Sequence, residues 1–269
     1  ASDNMKILIT GAHGFVGNRL MQDLDDTVAA PSMRGMSEEQ IRNMIEKSRA
    51  DVIIHTAAIS DVGTCEKDPG ASYEANVRLP LFLAKAAKEQ KLICFSSDQV
   101  YRGCAGEGPY KEEDASPCNV YGRHKLEMEQ KVLDVKPDAV MLRAEWMYDY
   151  PTKRSNYLRM LLNEKQVLTF GKQYRGITYL REVAENMPKI FMLPGGVYNF
   201  GSETKQTMYD ITCEMLHFLK SDRKPEEVPP AHNLWMDCTK AKERGILFSD
   251  AKEGLKRCLK DYHLAKDRE

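Results

Sequence analysis

The stretch from residue 6 to residue 17 constrains this 269-residue chain more than any other. Residues 6–10 form a short, mostly apolar run that reads as a buried strand, and it leads straight into Gly11, Ala12, His13, Gly14, Phe15, Val16 and Gly17. Phe15, Val16, Leu20, Met21 and Leu24 then recur at helical spacing. Glycines let a backbone turn sharply and come close to a pyrophosphate. The free amides at the start of the following helix face its negative charge. Strand, glycine loop and helix in this order predict a dinucleotide-binding unit of a parallel α/β sheet, with Gly11, His13, Gly14, Phe15 and Val16 at the cofactor.

The following segments extend the same alternation. A second strand is expected over 27–30. About 20 residues beyond the glycine loop an acid would take the ribose 2′-hydroxyl of NAD, whereas an arginine can hold the 2′-phosphate of NADP. The chain has Pro31, Ser32, Met33 and Arg34 there and no acid, which favours NADP, with NAD as the other cofactor the fold accepts. Ser37 and Gln40 form a capping box for a helix reaching residue 49, and 51–55 is a third strand. The small residues Ala57 and Ala58 leave room for a cofactor against the end of that strand. A long helix is expected over 71–90, kinked at Pro80. The fourth strand, 92–95, runs into Ser96, Ser97 and Asp98. Ligands of open α/β sheets lie beyond the carboxyl ends of strands, so Ser97 is placed near a substrate oxygen.

Tyr121 and Lys125 stand four apart in a helical segment, so phenol and ammonium share a face and form a candidate acid/base pair. The lysine is expected to lower the phenol pKa. A fifth strand, 139–143, precedes Trp146. Strands over 167–170 and 197–200, and helices over 180–192 and 208–219, continue the alternation. Pro225, Pro229 and Pro230 interrupt it, and the charged end from Lys260 reads as a solvated tail. The fold class expected is α/β, a doubly wound and mostly parallel sheet with a small C-terminal substrate lobe. The nucleotide-binding lobe is expected over 1–148 and the substrate lobe over 149–269, with segments returning to the first.

Composition narrows the function. With 39 basic and 40 acidic residues the net charge is −1, which carries no footprint for nucleic acid. No apolar run approaches the roughly 20 residues of a membrane span, and the N-terminus shows no secretory pattern. A cytoplasmic protein without a membrane partner, acting as a monomer or homodimer on a small molecule, is expected. The seven cysteines are scattered without a CxxC pair, so no metal site is expected.

Taken together, the glycine loop, Ala57 and Ala58, Ser97 and the YxxxK pair Tyr121 and Lys125 resemble an extended short-chain dehydrogenase/reductase. Within that superfamily the chain is similar to the dTDP-4-dehydrorhamnose reductase-like group. The likeness lies in Ser97-Asp98 before Val100, Pro117-x-Asn119-Val120-Tyr121-Gly122 with Lys125-Leu126, and Arg143 with Trp146. It continues in Thr178-Tyr179, Gly196 to Asn199, and Asp237-x-x-Lys240. The resemblance implies an NADPH-dependent reductase of a keto group on a nucleotide sugar, with Ser97, Tyr121 and Lys125 catalytic. It also implies cofactor contacts from Ser96, Tyr121 and Lys125, and substrate contacts from Ser60, Val62, Asp98 and Trp146. A sugar-nucleotide epimerase or dehydratase, and a non-catalytic subunit like the regulatory subunit of methionine adenosyltransferase, are rival readings. The resembling dehydratases carry an Asp-Glu pair where this chain has Asp98-Gln99, and an amide cannot take up a proton near pH 7. Two further departures are Ser60-Asp61-Val62-Gly63 in place of Thr-x-Val-Asp, and Glu145 where the group has Ser or Thr.

Overall fold

The computed structural model describes residues 5–265. β1 (Ile7–Thr10), β2 (Thr27–Ala29), β3 (Val52–His55), β4 (Lys91–Ser97), β5 (Val140–Ala144) and β9 (Gly196–Phe200) form one sheet in the order β2-β1-β3-β4-β5-β9, every pair parallel. A sheet covered on both faces needs apolar residues at successive positions, and the runs Ile7-Leu8-Ile9 and Val52-Ile53-Ile54 supply them. Alternate side chains serve opposite layers. Ile7, Ile9, Val52 and Ile54 pack with α1 (Phe15–Asp23) and α8 (Leu180–Ile190), whereas Leu8 and Ile53 pack with α2 (Glu38–Ser48), α5 (Leu79–Ala86) and α6 (Val120–Val135).

The capping box at α2 is present, with Ser37 Oγ accepting from the Gln40 amide and Gln40 Oε1 from that of Ser37. The helix expected over 71–90 is present as one helical run from Pro69 to Ala86, made of α4 (Pro69–Tyr73), a π-helical turn (Glu74–Arg78) and α5 in succession, after a separate short α3 (Val62–Lys67). Pro80 has no N–H to offer the preceding turn, and the chain absorbs this by widening to the π turn rather than by kinking at the proline. Asn76, inside that turn, is fully buried. Its amide donates to the Ile59 carbonyl at 3.0 Å and its Oδ1 accepts from the Ile59 amide at 3.2 Å, which pins the segment after β3.

Beyond residue 148 the chain builds a second apolar cluster and also returns to the first. β6 (Trp146–Tyr148) pairs with β8 (Ile177–Tyr179), and β9 closes the main sheet against β5. Between β6 and β8 lie α7 (Tyr157–Leu162) and β7 (Thr169–Phe170), and β7 pairs with β10 (Glu226–Glu227). The strand expected over 167–170 is thus two residues long, because β10 offers only two partners; Val167 is exposed. Tyr148, Leu158, Tyr179, Met215 and Leu255 join α7, α9 (Met208–Phe218) and α11 (Ala251–Asp261) in this cluster. α10 (Thr239–Lys242) packs against β9.

The expected tail needs correction. Lys260 and Asp261 end α11, held down by buried Leu255, Cys258 and Leu259 on its apolar face. Residues 266–269 lie outside the described residues. No described helix is long and apolar enough to cross a membrane.

Candidate active site

Where β1 ends, Thr10 ties the glycine loop to the end of β3. Its Oγ1 accepts from the amides of Thr56 and Ala57, at 3.0 and 3.3 Å, so its proton is free for His55 Nδ1 at 2.8 Å. Burial lowers the His55 pKa to about 3, which keeps the ring neutral and able to accept. The two segments lie so close that a Cβ on Gly11 would meet Thr56 Oγ1 at 2.7 Å and the Ala57 amide nitrogen at 2.9 Å; its φ of +64° also suits only glycine well. One turn on, a Cβ on Gly17 would meet the Gly11 carbonyl oxygen at 2.0 Å. α1 therefore starts close against the loop. Its N-cap is Gly14, which offers no side-chain acceptor, so the first amides remain free.

A cleft of about 490 Å³ opens at the carboxyl ends of β1, β3, β4 and β5. The structure brings Gly11, Gly14, Phe15, Val16, Ala57 and Ala58 into its lining, together with Ser60, Val62, Asp98 and Trp146. Ser96, Ser97, Tyr121 and Lys125 line it too. His13 instead borders an adjoining cavity of about 320 Å³, and Arg34 stands exposed in the turn after β2, outside the lining of both.

α6 delivers Tyr121 and Lys125. Its N-cap Asn119 accepts from the Gly122 amide at 2.7 Å and donates to Gln99 Oε1 at 3.2 Å, which docks the helix start on the turn after β4. That turn is capped by Ser97, whose Oγ accepts from the Gln99 amide at 3.1 Å. The sequence expectation for Tyr121 is reversed. Burial pushes its phenol pKa up, Asp98 adds to the rise, and the Ser97 hydroxyl and Arg154 only partly offset it. Lys125 is itself buried, and desolvation lowers its pKa to about 8. The resting tyrosine therefore carries its proton at neutral pH.

Beneath the cleft lies a buried polar network. Arg143 grips Glu129 with Nε and Nη2 and donates from Nη1 to the Tyr101 hydroxyl at 2.8 Å; Ser96 donates to Glu129, and Tyr101 to Asn199. The Ser96 side chain is thus turned into this network. Its members fix β4, β5, β9 and α6 against one another.

The lining also holds Glu145, which the sequence marks as a departure from the resembling group, and Arg175, which the sequence reading passed over. Glu145 is buried, accepts from Thr178 Oγ1 at 2.7 Å, and fills the space left by Gly176 and Gly201, where added Cβ atoms would meet its carboxyl group. Burial first, and Asp98 with Glu203 next, raise its pKa well above the usual carboxyl range. Burial likewise raises that of Asp98, against the pull of Arg175. The Arg175 guanidinium lies 4.9 Å over the Trp146 ring, with one nitrogen 3.9 Å from Asp98 Oδ2. The part played by Gly176 and Gly201 becomes readable only once β8 and β9 are placed beside β6 and β5.

Comparison with known proteins adds a family. The chain matches the family described as RmlD substrate binding domain over residues 5–264. It is 28% identical over 243 residues to a dTDP-4-dehydrorhamnose reductase of Aggregatibacter actinomycetemcomitans, covering 83% of this chain and 82% of the relative. It is also 27% identical over 278 residues to methionine adenosyltransferase 2 subunit beta of Mus musculus, covering 90% and 83%. The fold superposes with a TM-score of 0.85 on a Bacillus anthracis dTDP-4-dehydrorhamnose reductase solved in complex with NADP, at 21% identity and covering 96% of this chain and 98% of that one.

Proposed function

The chain belongs to the RmlD substrate binding domain family, and from that premise we propose that it is an NADPH-dependent reductase of a keto group on a nucleotide-linked sugar, of the dTDP-4-dehydrorhamnose reductase kind. The observation that carries this reading is the buried, proton-bearing Tyr121 beside Ser97 and Lys125 at the strand ends.

The residues fit a dinucleotide. The loop of Gly11 and Gly14 is a cradle that a Cβ would fill, and the uncapped amides of α1 face it. Gly11, Gly14, Phe15 and Val16 would hold the diphosphate, Ala57, Ala58 and Ser96 the face of the sheet, and Lys125 the ribose next to the nicotinamide. His13 and Arg34, at the margin, would reach the adenosine end. When bound, reduced nicotinamide supplies hydride to the carbonyl carbon.

Tyr121 gives its proton to the carbonyl oxygen as charge develops there; burial raises its pKa, so the phenol rests protonated and yields its proton only to the strongly basic alkoxide that the hydride creates. The Ser97 hydroxyl orients the same oxygen. Lys125, poised near 8, is half-way to either protonation state under mildly alkaline conditions and can restore the tyrosine's proton. Ser60, Val62, Asp98 and Trp146 line the substrate end, and residues 149–269 supply the substrate lobe through α7, β8 and their loops. The same reading makes the protein a cytoplasmic monomer or homodimer without nucleic-acid or membrane partners.

The test is consumption of NADPH, read at about 340 nm, on mixing with 4-keto-6-deoxy nucleotide sugars. Turnover is expected with at least one of them, and no loss of water from a nucleotide-linked glucose. Formation of a 4-keto-6-deoxy product from nucleotide-glucose would overturn the reductase reading. Tight NADPH binding with no turnover of any keto sugar would replace it with a binding role.

A further inference from the structure

Arg154 reaches from the loop between β6 and α7 across the mouth of the cleft. The loop is braced to hold it. The Arg154 amide donates to Thr152 Oγ1 at 3.1 Å, and its carbonyl accepts from buried Asn156 Nδ2 at 3.0 Å. Asn156 also caps α7 by accepting from the Leu158 and Arg159 amides, and Arg159 donates back to the Thr152 carbonyl at 3.0 Å. From this fixed base the side chain crosses to the first lobe. Its Nη2 donates to Ser60 Oγ at 3.2 Å, and its guanidinium carbon lies 5.5 Å from the centre of the Phe15 ring.

Arg154 also borders both the main cleft and the smaller cavity beside His13, so it stands as the partition between them. Its partners across the cleft, a hydroxyl and a ring face, do not neutralise its charge. Phe15 is the first residue of α1, whose N-cap Gly14 gives its opening amides no side-chain cap. A guanidinium and a helix N-terminus thus face the same space, and both favour an anion there. The charge is also felt at the Tyr121 phenol, which places it within electrostatic reach of the reacting end.

We propose that Arg154 is a diphosphate-binding residue, clamping the diphosphate of a bound nucleotide against the start of α1 and exchanging its bond to Ser60 for the phosphate oxygens. The inference rests on the proposed function, in which both cofactor and substrate carry a diphosphate. Its place over Phe15 favours the cofactor's. Arginine suits the task because its planar fork meets two phosphate oxygens at once, and a side chain on an exposed loop can make the exchange without disturbing the core.

The test uses the whole chain and the variants Arg154→Ala, Arg154→Gln and Arg154→Lys, with thermal melts to establish folding. Affinities for NADPH alone and for dTDP alone are measured by calorimetry. Arg154→Ala is expected to weaken at least one of them about tenfold or more. Arg154→Gln, which keeps a donor for Ser60 but no charge, should lose as much. Arg154→Lys should recover part of the affinity as a point charge. A loss with NADPH assigns the cofactor's diphosphate and a loss with dTDP the substrate's; either supports the clamp. Unchanged affinities for both nucleotides in Arg154→Ala, or full retention in Arg154→Gln, would overturn the inference and leave the proposed function standing. Wild-type protein that binds neither nucleotide would overturn both.

Discussion

Lys125 donates from Nζ to the carbonyl oxygen of Phe95 at 3.0 Å, and its ammonium lies 5.8 Å from the centre of the Tyr121 ring. The two side chains share a helix face as their spacing requires, yet each is governed more by its own burial than by the other. The ammonium is driven down to about 8 and the phenol is driven up. Both groups are therefore biased towards the neutral state, which suits a resting proton donor.

Replacing Tyr121 by Phe removes the proton but keeps the ring in the cleft wall. Turnover should fall about 10²-fold or more while NADPH affinity stays near that of the wild type. Steady-state kinetics beside calorimetry check this. Full turnover in the variant would remove Tyr121 from the mechanism.

Lys125 gives a stability signature. Its pKa is 10.5 in the unfolded chain and about 8 in the fold, so between these values the unfolded state binds the extra proton and stability rises with pH. Below pH 8 the cost of the buried charge is present in full. Lys125→Met should stabilise the free protein at pH 7 by an amount on the order of 1–3 kcal/mol, and the gain should shrink as pH rises from 8 to 10.5. Urea melts at pH 7 and pH 10 measure it; a gain that grew with pH would contradict the assignment. NADPH binding should weaken in the same variant.

Glu145 has the opposite sign. Its folded pKa lies well above the ordinary carboxyl value of 4.5, so stability is complete below that value and is lost as pH rises towards the folded pKa. Glu145→Gln keeps an acceptor for Thr178 and removes the titration. The variant should melt above the wild type at pH 8 by roughly 2–5 °C, a difference of about 1 kcal/mol in a chain of this size, and the two should converge near pH 4.5. Equal melting temperatures at both pH values would show that the carboxyl group ionises freely.

Gly17→Ala would place a methyl 2.0 Å from the Gly11 carbonyl oxygen, backbone that cannot step aside cheaply. A loss of about 2–4 kcal/mol in stability is expected, together with weaker NADPH binding as α1 moves off the loop. Gly17 lies within α1 and has no positive φ, so backbone strain does not contribute and the loss reports the contact alone; an unchanged urea midpoint in the variant would leave the contact without weight.

Arg34 is expected to set cofactor choice. It is exposed and therefore free to meet a 2′-phosphate. Arg34→Ala should reduce the preference for NADPH over NADH about tenfold. Calorimetry giving equal affinities for the two cofactors in the wild type would remove this role.

The sequence by itself determined the α/β class, the glycine cradle and the Tyr121–Lys125 pair. These depend on local geometry: a strand that ends in glycines, a capping box at Ser37 and Gln40, and the i,i+4 spacing of a helix all lie within a few residues of each other. The tertiary structure alone decided what those groups do. The direction of the Tyr121 shift follows from burial under β4 and β5 together with Asp98, and no local spacing encodes burial. Glu145 has its carboxyl pKa raised because burial surrounds it where Gly176 and Gly201, more than 30 residues away, make room, and Asp98 adds to the rise. The π turn at Glu74–Arg78 shows that a proline's cost can be met by the backbone before it. Arg154 lies in a stretch with no periodicity, and its place over Phe15 and Ser60 appears only once the loop between β6 and α7 is positioned by the fold. Residues that act through their neighbours along the chain can be read from the sequence, whereas residues that act through burial or long-range contact need the fold.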